Sequence, residues 1–577
     1  MIGKRIKKYP WYDYYINMRK TLDYPNVSMY EMVKRCAKSH PELIAYSYYG
    51  NKVTYKTYIK KIDNSANAFA SLGVKKDDVV SIIMPNTPEA IISFYALNKL
   101  GAIINMIHPL SSEEELKYSI NLVNSKYALV SDIVYGKIKN IEKDITVEKI
   151  IYSSVSESMS TFTKIGYKLK TLGKIDKELD EKTIEFSKFY NNGKHYKKVI
   201  KDTKKGNDNA VILHSGGTTG KPKGIVLTNK NFNAVALGLL EINKVMGPGV
   251  STLSIMPIFH GFGLACTFHA VNISGGEAII LPTVSPKNFD ETILKYKPNT
   301  IGCVPSLLEG LTGSRKLKNA DLSFLKCIVC GGDAISDKLN VKLDKFLKDH
   351  SSSAKVRSAF GMTECTAGVT MMPLEKSKLG SIGIPIPDTI IKIINPKTHK
   401  ECNTLEIGEI CISGPSVMKE YINDPEETKN ALRKEEDGKV YLHSGDLGYI
   451  DEDGFIFFES RLKRMIVSSG YNIYPGQIEK IILEHPYVEK CAVVGVPHPY
   501  KKEVVKAYIV LKKGLVLNSE IKKSIKSHCE KNIASYALPY AYGYRKELPK
   551  TKIGKVAYNE LINDKDEELW KMQDIKY

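Results

Sequence analysis

The sequence predicts an α/β protein with a large N-terminal body of several open-sheet subdomains and a small α+β C-terminal domain. The chain has 577 residues, which is too long for one ordinary domain. An apolar strand at Val79–Met84, an amphipathic helix at Pro88–Leu100 and a following strand form a βαβ pattern, which is typical of open α/β sheets. The last block, 461–577, contains strands separated by helix-like segments. We therefore expect one domain at 1–460 and another at 461–577.

Within the N-terminal body the composition changes twice. Residues 135–208 are rich in lysine and poor in glycine and proline, and we expect a peripheral helical excursion with a solvated face. Residues 209–460 return to strand-rich, glycine-rich sequence. Neither internal repeats nor a low-complexity linker interrupts the pattern.

The composition is that of a globular protein. Apolar residues make up 43% and charged residues 26%, which excludes disordered, collagenous and coiled-coil classes. No apolar run reaches 18 residues, and the basic N-terminus has no apolar stretch after it, so we expect neither a transmembrane segment nor a signal peptide. The ten cysteines are scattered, and the close pair Cys327 and Cys330 lies in a strand-like run typical of buried structural thiols. We expect a cytoplasmic protein.

The charge is strongly basic and unevenly distributed. The net charge of +20 is compatible with nucleic acid, anionic membranes or anionic small molecules as partners. Residues 461–577 contain 22 lysines and arginines against 13 acidic residues, a net charge density about three times that of the first 460 residues. Interleaved aromatic and basic residues, which are typical of nucleic-acid binding, are missing from the sequence. We therefore expect no nucleic-acid partner, and we interpret part of the basic excess as phosphate handling.

The segment VILHSGGTTGKPKG, 211–224, has the composition of a polyphosphate-binding loop. A strand precedes it and a second strand follows it. Glycines let successive N–H groups face an anion, while hydroxyls and lysines add donors and charge. It is not a Walker A loop, because Pro222 follows the Gly-Lys pair and the next element is a strand. The predicted phosphate-binding residues are Ser215, Gly216, Gly217, Thr218, Thr219, Gly220 and Lys223.

Other segments offer the remaining groups of a nucleotide site. In SAFGMTECTAG, 358–368, an aromatic ring for base stacking lies near a hydroxyl and a carboxylate that suit Mg²⁺. Asp446 is predicted to follow a tight Ser-Gly turn, where its carboxylate could accept ribose hydroxyls. DEDG, 451–454, is a predicted hairpin turn, and Lys555 lies on a glycine-bearing loop.

Together these motifs resemble the adenylate-forming superfamily, which includes acyl-CoA synthetases, luciferases and peptide-synthetase adenylation domains. The resemblance covers roughly 40–560 and includes the phosphate loop, Phe-Gly-x-Thr-Glu, Ser-Gly-Asp, Arg-x-Lys and Pro-x-Thr-x-x-Gly-Lys. It implies ATP, Mg²⁺ and CoA as cofactors. A carboxylic acid attacks the α-phosphate of ATP to give an acyl-adenylate and pyrophosphate, and a thiol then displaces AMP.

The resemblance also implies roles for individual residues. Ser215–Gly224 would close over the β- and γ-phosphates, Thr363 would touch phosphate, and Glu364 would hold Mg²⁺. Lys555 would reach the substrate carboxylate and the α-phosphate, where a cation stabilises the developing negative charge. The nucleotide would further be held by Gly331, Gly332, Asp333, Phe360, Gly361, Asp446 and Arg461.

In the family the small C-terminal domain rotates between the two half-reactions. Lys463 occupies the hinge position, and Gly470 lies where the pantetheine arm of CoA passes close to the backbone. Ser460 before Arg461 and Lys502 before Glu503 depart from residues that are common in relatives. The second departure could alter docking of the moving domain or could be ordinary surface.

The identity of the acid is predicted from the His260 region. Amino-acid-activating relatives carry an aspartate there, whereas this chain has Ile258-Phe259-His260-Gly261, which resembles acyl- and aryl-CoA ligases. An unpaired substrate ammonium would be costly to bury. The resemblance places His260 at the acyl or pantetheine passage, and the following small and apolar residues suit an apolar tunnel wall. We expect a medium- or long-chain fatty acid, with two alternatives: an aryl-acid CoA ligase, and a fatty acyl-AMP ligase that loads an acyl carrier protein.

Overall fold

The computed structural model describes residues 9–170, 179–215, 222–468, 471–498, 502–551, 555–564 and 569–571. They divide into two compact units. The larger unit comprises Tyr9–Ile391 and Ile412–His443, and the smaller unit comprises Lys392–Cys411 and the described part of Ser444–Tyr577. Residues 444–460 therefore belong with the smaller unit, and the domain boundary after residue 460 stays a prediction. The mixed α/β architecture confirms the predicted fold class.

Strands occur throughout the described chain. Their bounds are β1 (Ile44–Tyr48), β2 (Asn51–Thr54), β3 (Val79–Ile83), β4 (Ile103–Met106), β5 (Tyr127–Ser131), β6 (Lys149–Ser153), β7 (Thr183–Glu185), β8 (Asn209–Ser215), β9 (Lys223–Thr228), β10 (Ser251–Ser254), β11 (Glu277–Ile280), β12 (Thr300–Cys303), β13 (Cys327–Cys330), β14 (Val356–Gly361), β15 (Gly368–Met371), β16 (Ser381–Pro385), β17 (Ile390–Ile394), β18 (Gly408–Ser413), β19 (Glu420–Tyr421), β20 (Leu432–Lys434), β21 (Val440–Ile450), β22 (Ile456–Arg461), β23 (Ile466–Ser468), β24 (Tyr471–Ile473), β25 (Val488–His498), β26 (Lys502–Leu511), β27 (Ala541–Tyr544) and β28 (Leu569–Lys571).

Helices connect most of these strands. The α-helices are α1 (Met29–Ser39), α2 (Tyr55–Ser71), α3 (Pro88–Leu100), α4 (Glu113–Asn121), α5 (Tyr135–Asn140), α6 (Thr161–Lys170), α7 (Phe186–His195), α8 (Asn229–Ile242), α9 (Ala270–Ser274), α10 (Phe289–Tyr296), α11 (Pro305–Leu308), α12 (Asp337–Asp349), α13 (Pro425–Ala431), α14 (Pro475–Leu483), α15 (Ser519–Asn532) and α16 (Tyr558–Ile562). A π-helix spans Phe262–His269. The 3₁₀ turns are Pro10–Tyr14, Glu142–Asp144, Pro286–Asn288, Leu311–Gly313, Thr363–Cys365, Leu462–Arg464 and Ser535–Ala537.

Two sheets organise the larger unit. In one, the strand order is β19-β9-β8-β4-β3-β5-β6-β7, with β4, β3, β5, β6 and β7 running parallel. In the other, the order β16-β15-β14-β13-β12-β10-β11-β1-β2 has a parallel centre from β14 to β1. Parallel strands must be covered on both faces, so the crossover helices pack on the sheets and the strands are buried. The centres of both sheets therefore provide a rigid base for the loops at their ends.

Helix α3 shows how local sequence fixes an element. The Thr87 side chain accepts a hydrogen bond from the Ala90 N–H, Pro88 occupies the first turn, and Gly101 ends the helix with φ of +83°. These are the preferred N-terminal and C-terminal signals of an α-helix. The predicted βαβ pattern is confirmed by β3, α3 and β4, with helix bounds equal to those predicted.

The predicted position of Asp446 after a tight turn is wrong. Strand β21 continues through Ser444, Gly445 and Asp446. Gly445 has a φ of +68° within the strand, and the pairing with β22 runs from Asp446 to Ile450. The DEDG segment does connect β21 to β22 as an antiparallel hairpin, as predicted. Asp446 is therefore held by a strand ladder rather than by a loop.

The smaller unit has its own sheet and core. Strands β24, β23, β26, β27 and β28 follow one another in the sheet, and β25 pairs with β26. Helices α14 and α15 contribute Ile478, Ile482, Ile521 and Ile525 to a buried cluster beneath that sheet. An apolar core of this kind lets the unit hold its loops independently. Within the described residues, no helix combines the length and the apolar run needed to cross a bilayer.

Candidate active site

The predicted phosphate loop lies on an antiparallel hairpin of β8 and β9. Ser215 and Lys223 are register partners at its open end, and both are half-buried. Gly216, Gly217, Thr218, Thr219 and Gly220 lie outside the described residues. His214 Nε2 lies 2.7 Å from Asn105 Oδ1, and burial lowers the pKa of His214 to about 4. The imidazole is therefore neutral at physiological pH, and the positive charge described at this end of the hairpin is that of Lys223.

Lys223 is held by two neighbours on the segment that follows β18. Its ammonium forms an ion pair with Glu427 at the start of α13. It also lies 4.9 Å from the centre of the Tyr421 ring, within the range of a cation–π contact. A lysine that is oriented in this way can present a cation to a bound phosphate without first being ordered.

Glu364 lies in the 3₁₀ turn Thr363–Cys365 and is buried. Tyr421 donates a hydrogen bond from its hydroxyl to Glu364 Oε1 at 3.0 Å, and the Met418 N–H donates to the Glu364 carbonyl at 2.7 Å. One carboxylate oxygen is thus oriented by a side chain. Carboxylate and hydroxyl oxygens are the donors that Mg²⁺ prefers, so Glu364 together with half-buried Thr363 fits that ion.

The predicted nucleotide-binding glycines follow the ends of central strands. Gly331 comes directly after β13 and donates its N–H to the Cys303 carbonyl at 3.1 Å, and Gly332 has a φ of +80°. Asp333 is exposed, and its Oδ1 accepts the Ala334 N–H at 2.9 Å. Gly361 ends β14, where an added Cβ would lie 1.7 Å from the Ala367 carbonyl oxygen. Only glycine fits at that position.

Next to these glycines the larger unit encloses a cavity of about 70 Å³. Strand ends of β12, β13 and β14, the start of β15, helix α8 and the π-helix all contribute to its wall. π-Helical turns occur frequently at functional sites. The lining residues are Leu239, Asn243, Met246, Thr252, His260, Phe262, Cys266, Thr267, Thr300, Ile301, Gly302, Val329, Gly331, Gly332, Ala359, Phe360, Gly361, Met362, Thr366, Ala367, Gly368 and Met371.

The cavity wall combines predicted nucleotide residues with an apolar interior. Gly331, Gly332, Phe360 and Gly361 all line it. None of the described residues around the cavity is an aspartate, glutamate, lysine or arginine. Burial raises the pKa of the Cys266 thiol to about 12, so this side chain is also neutral. The wall therefore suits an uncharged, apolar group next to the predicted nucleotide pocket.

His260 is an exposed residue at the cavity wall rather than a core histidine. Its Nδ1 accepts a hydrogen bond from the Phe262 N–H at 3.3 Å. The following Gly261 packs so closely that an added Cβ would lie 1.7 Å from the Thr366 carbonyl oxygen. The His-Gly pair therefore fixes the start of the π-helix and leaves the imidazole accessible.

The smaller unit holds the predicted ribose-binding pair. Asp446 and Arg461 are register partners on β21 and β22, and Arg461 Nε lies 3.2 Å from Asp446 Oδ1. Asp446 is buried, whereas the Arg461 side chain is half exposed. The Gly445 N–H donates to Glu409 Oε1 at 2.9 Å, which fixes the backbone next to the carboxylate. The two predicted residues are thus brought together.

Lys463, the predicted hinge residue, is exposed between two anchored arginines. On one side Arg461 pairs with Asp446. On the other, Arg464 lies 2.6 Å from a Glu479 carboxylate oxygen, donates to the Val493 carbonyl at 3.1 Å, and has its guanidinium 3.4 Å from the Tyr558 ring centre.

Gly470 lies outside the described residues. Lys555 is described and half-buried, and its N–H donates to Thr551 Oγ1 at 3.2 Å, while the Thr551 N–H donates to the Lys555 carbonyl at 2.7 Å. These two hydrogen bonds hold the Lys555 backbone next to Thr551.

The sequence motifs missed Tyr421 and Glu427. Both residues lie in KEYINDPEE, 419–427, which reads as an ordinary charged surface segment. Their role emerges only because β19 pairs with β9, which brings Tyr421 to Glu364 and Lys223. The proline after Asn423-Asp424, which marks the start of a helix, was the only local signal of structure there.

Comparison with known proteins identifies the family. The model of the AMP-binding enzyme family matches residues 33–422, and that of the AMP-binding enzyme C-terminal domain matches residues 477–555. A long-chain-fatty-acid–CoA ligase of Bacillus subtilis (strain 168) is 32% identical, over 97% of this chain and 98% of the relative. A probable 4-coumarate–CoA ligase 1 of Dictyostelium discoideum is 29% identical, over 94% and 97%.

Solved structures show the same fold. The structure of the ATP-bound RpMatB-BxBclM chimera B1 aligns with a TM-score of 0.80 at 23% identity, covering 93% of this chain and 98% of that chain. The match extends through both compact units. The chain therefore belongs to the AMP-binding, adenylate-forming enzyme family and to its acyl-CoA synthetase branch, whose members are AMP-forming acid–thiol ligases.

Proposed function

We propose that the chain activates a medium- or long-chain fatty acid with ATP and transfers the acyl group to CoA. The observation that carries this proposal is the cavity, which combines the predicted nucleotide-binding glycines with a largely apolar wall that has no aspartate, glutamate, lysine or arginine among the described residues. An alkyl chain gains most from such a wall, because its transfer from water is favourable in proportion to the apolar area buried. The 32% identical relative from Bacillus subtilis is named as a long-chain-fatty-acid–CoA ligase.

In the first half-reaction, an oxygen of the substrate carboxylate attacks the α-phosphorus of ATP. The bond between the α-phosphorus and the bridging oxygen breaks, and pyrophosphate leaves. Ser215 and Lys223 hold the β- and γ-phosphates, and Lys223 is oriented by Glu427 and Tyr421. Lys555 stabilises the charge that develops between the attacking and bridging oxygens.

We propose a separate role for each of the predicted nucleotide-binding residues. Phe360 stacks on the base, Gly331 and Gly332 line the adenosine pocket, and Asp446 with Arg461 binds the ribose hydroxyls. Glu364 and Thr363 would hold Mg²⁺, which when bound neutralises phosphate charge. The hydrogen bond from Tyr421 fixes the carboxylate before the ion arrives.

In the second half-reaction, the CoA sulfur attacks the acyl carbon, the bond to AMP breaks, and the thiol proton is released. We propose that the part of the chain that follows Lys463 turns about this residue between the two steps. The anchoring of Arg464 to Glu479 and to the Val493 carbonyl supports this position, because a rotation there keeps Arg464 with the core that follows it. His260 and Gly470 line the path of the pantetheine arm.

Aryl acids are the second candidate substrate class. The ring of Phe262 lines the cavity and can stack on a flat acid. A fatty acyl-AMP ligase that serves a carrier protein differs only in the acceptor, since both acceptors present pantetheine. The ten cysteines are free thiols in the structure, which fits the proposed cytoplasmic location.

The test is ATP–pyrophosphate exchange across fatty, aryl and bile-type acids, followed by AMP release with CoA or a carrier protein as acceptor. We expect exchange with fatty acids and AMP release with free CoA. If exchange is confined to aryl acids, the substrate is an aryl acid and not a fatty acid. If AMP is released only with a carrier protein, the acceptor is that protein and not CoA. A salt-dependent shift with DNA, and no exchange with any acid, would favour a nucleic-acid binding protein.

A further inference from the structure

The cavity of the larger unit lies along one face of its sheet. Residues on the same face of a sheet recur at every second position of a strand. The cavity is lined accordingly by Thr300 and Gly302 of β12, and by Val329 of β13 with the following Gly331. Because Thr300 is the register partner of Cys327, Gly331 lies four residues further along the strands, a distance of about 13 Å. The cavity therefore extends from the predicted nucleotide-binding glycines towards the amino ends of the strands.

Polar side chains gather at the end of the cavity away from these glycines. Thr252 of β10 and Thr300 of β12 are register partners that both line the cavity, and their hydroxyl oxygens are 2.7 Å apart. One hydroxyl donates to the other, so the accepting hydroxyl still has a proton to donate. Helix α8 ends at Ile242, and a short connection leads to the start of β10 at Ser251. The first residue of this connection, Asn243, therefore lies towards the same end of the strands, and it also lines the cavity.

The Asn243 side chain has a fixed orientation. Arg357 is buried, and its Nη1 donates a hydrogen bond to Asn243 Oδ1 at 3.0 Å. Two backbone carbonyls hold the same guanidinium in place, since Nε donates to Met372 at 2.7 Å and Nη2 donates to Ile242 at 3.0 Å. A guanidinium has donors and no acceptor. The amide oxygen of Asn243 must therefore face Arg357, and its amide nitrogen points away from it.

The amide nitrogen of Asn243 is left as a donor. The backbone of this residue is satisfied, because its N–H donates to the Leu239 carbonyl at 2.7 Å and its carbonyl accepts the Met246 N–H at 3.1 Å. Among the residues that the structure describes, none accepts a hydrogen bond from the amide nitrogen, although the side chain is buried. The cation on the amide oxygen polarises the amide and strengthens its N–H donors. A buried donor without an acceptor is costly, so this position favours a ligand that supplies one.

We propose that this end of the cavity binds an oxygen atom on the distal half of the acid, through the Asn243 amide and the threonine hydroxyls. The preferred substrate is then an oxo or hydroxy fatty acid, since both groups present the acceptor oxygen that the amide needs. A plain alkyl chain would cover the donor without pairing it. The proposal rests on the proposed activation of fatty acids and narrows their class.

The first experiment compares dodecanoic acid with oxododecanoic acids whose carbonyl is moved one carbon at a time along the distal half of the chain. ATP–pyrophosphate exchange by the full-length protein gives kcat/KM for each acid. We expect at least one oxo acid to exceed dodecanoic acid by about tenfold or more, because it pairs the buried donor. An equal or lower kcat/KM for every oxo acid would overturn this proposal alone. No exchange with any fatty acid would overturn the proposed function as well.

The variant Asn243→Asp tests the donor itself. Aspartate keeps an acceptor for Arg357 but has no proton to donate. We expect the advantage of the best oxo acid over dodecanoic acid to fall about tenfold, whereas the matching hydroxy acid keeps its advantage because its hydroxyl can donate to the carboxylate. The matched control is Asn191→Asp, since Asn191 Oδ1 also accepts from a cation, Lys194 Nζ at 2.9 Å, and the residue does not line the cavity. This control should keep the preferences of the parent.

The split between oxo and hydroxy acids separates recognition from stability, since a merely destabilised variant loses activity with both. Equal losses for the two acids, an unchanged preference for the oxo acid, or a change confined to KM for ATP would overturn the proposal. If Asn243→Asp does not fold, the preference of the parent among the oxo acids and dodecanoic acid decides the matter.

Discussion

The Tyr421 hydroxyl donates a hydrogen bond to Glu364 Oε1 at 3.0 Å, inside the larger unit. Burial, followed by the neighbouring Glu364 carboxylate, raises the pKa of Tyr421 well above its ordinary value, so the phenol keeps its proton and remains a donor. The Lys223 ammonium lies 4.9 Å from the centre of the same ring. One side chain thus orients both the proposed metal ligand and a proposed phosphate ligand.

Substituting Tyr421→Phe should weaken the use of Mg²⁺. The ring and its contact with Lys223 stay, while the Glu364 carboxylate loses its orienting donor. We expect the Mg²⁺ concentration for half-maximal ATP–pyrophosphate exchange to rise about tenfold or more, as for other residues that orient metal ligands. Direct Mn²⁺ binding, followed by electron paramagnetic resonance, should weaken in parallel.

The control for that variant is Tyr24→Phe. The Tyr24 hydroxyl donates a hydrogen bond to Asp388 Oδ2 at 2.8 Å in the same unit. The Tyr24→Phe substitution therefore removes an equivalent tyrosine–carboxylate hydrogen bond at a site away from Glu364. Its Mg²⁺ dependence should match that of the parent. An unchanged Mg²⁺ requirement in Tyr421→Phe would show that Tyr421 does not position the carboxylate.

Replacing Lys555→Ala should separate the two half-reactions. Loss of the cation should slow acyl-adenylate formation by about 100- to 1,000-fold, the range for removal of one group that stabilises transition-state charge. Thioester formation from supplied acyl-adenylate and CoA should continue. The control is Lys550→Ala, an exposed lysine on the same loop base, which should leave both steps intact. Pyrophosphate release at the parent rate by Lys555→Ala would remove this residue from the mechanism.

Gly368→Val should shorten the accepted acyl chain. Gly368 lines the cavity, and an added Cβ there would meet only Leu239 Cδ2 at 3.8 Å and the Phe360 carbonyl oxygen at 4.0 Å. The Cβ of valine therefore fits without displacing backbone, and we expect its two methyl groups to take space from the cavity. We expect KM to rise for long acids and to change little for short ones. Gly313→Val, at a glycine with open space around it, is the control. Equal effects on short and long acids would place the acyl chain elsewhere.

Glu89 should make stability depend on pH. It is fully buried, and desolvation raises its pKa from 4.5 to about 7. The folded chain therefore binds this proton more tightly than the unfolded chain does. Below about pH 4 the Glu89 carboxyl is protonated in both states and leaves the free energy of unfolding unchanged. As the pH rises to about 7 the unfolded chain loses this proton first, so the free energy of unfolding falls. Ser158 donates its hydroxyl to Glu89 Oε1, and glutamine can still accept that bond.

We expect Glu89→Gln to be more stable than the parent at pH 8 by up to about 3 kcal/mol, from the size of the pKa difference, and to lose most of that advantage at pH 5. Urea unfolding at the two pH values measures this difference. Glu309→Gln, an exposed glutamate in the same unit, should show no such dependence. Parallel pH curves for Glu89→Gln and the parent would show that the Glu89 carboxyl titrates normally.

Much of the fold followed from local signals. Helix α3 was predicted with its bounds because Thr87, Pro88 and Gly101 mark its ends in the sequence itself. The strands β8 and β9 were predicted because two apolar runs flank a glycine-rich loop, whereas their antiparallel pairing is seen only in the structure. Asp446 was misplaced because a Ser-Gly pair looks like a turn, whereas here Gly445 absorbs an irregularity inside β21.

The candidate site was predictable from the sequence only where its residues lie close together in one motif. Tyr421 and Glu427 could not be found this way, since they reach Glu364 and Lys223 through the pairing of β19 with β9 across some 200 residues of sequence. The cavity wall likewise gathers residues from widely separated segments. Apart from His260, Phe360 and the glycines of the predicted motifs, these residues carry no sequence pattern that would mark a substrate site.

The most direct test of the account is a competition between two acids. An equimolar mixture of a long-chain fatty acid and a cinnamic-type acid is incubated with the full chain, ATP, Mg²⁺ and CoA, and the products are identified by mass spectrometry. We predict that fatty acyl-CoA forms in excess, together with equal amounts of AMP and pyrophosphate. A product dominated by the aryl thioester, or AMP without any CoA thioester, would contradict the proposed fatty acid–CoA ligase activity.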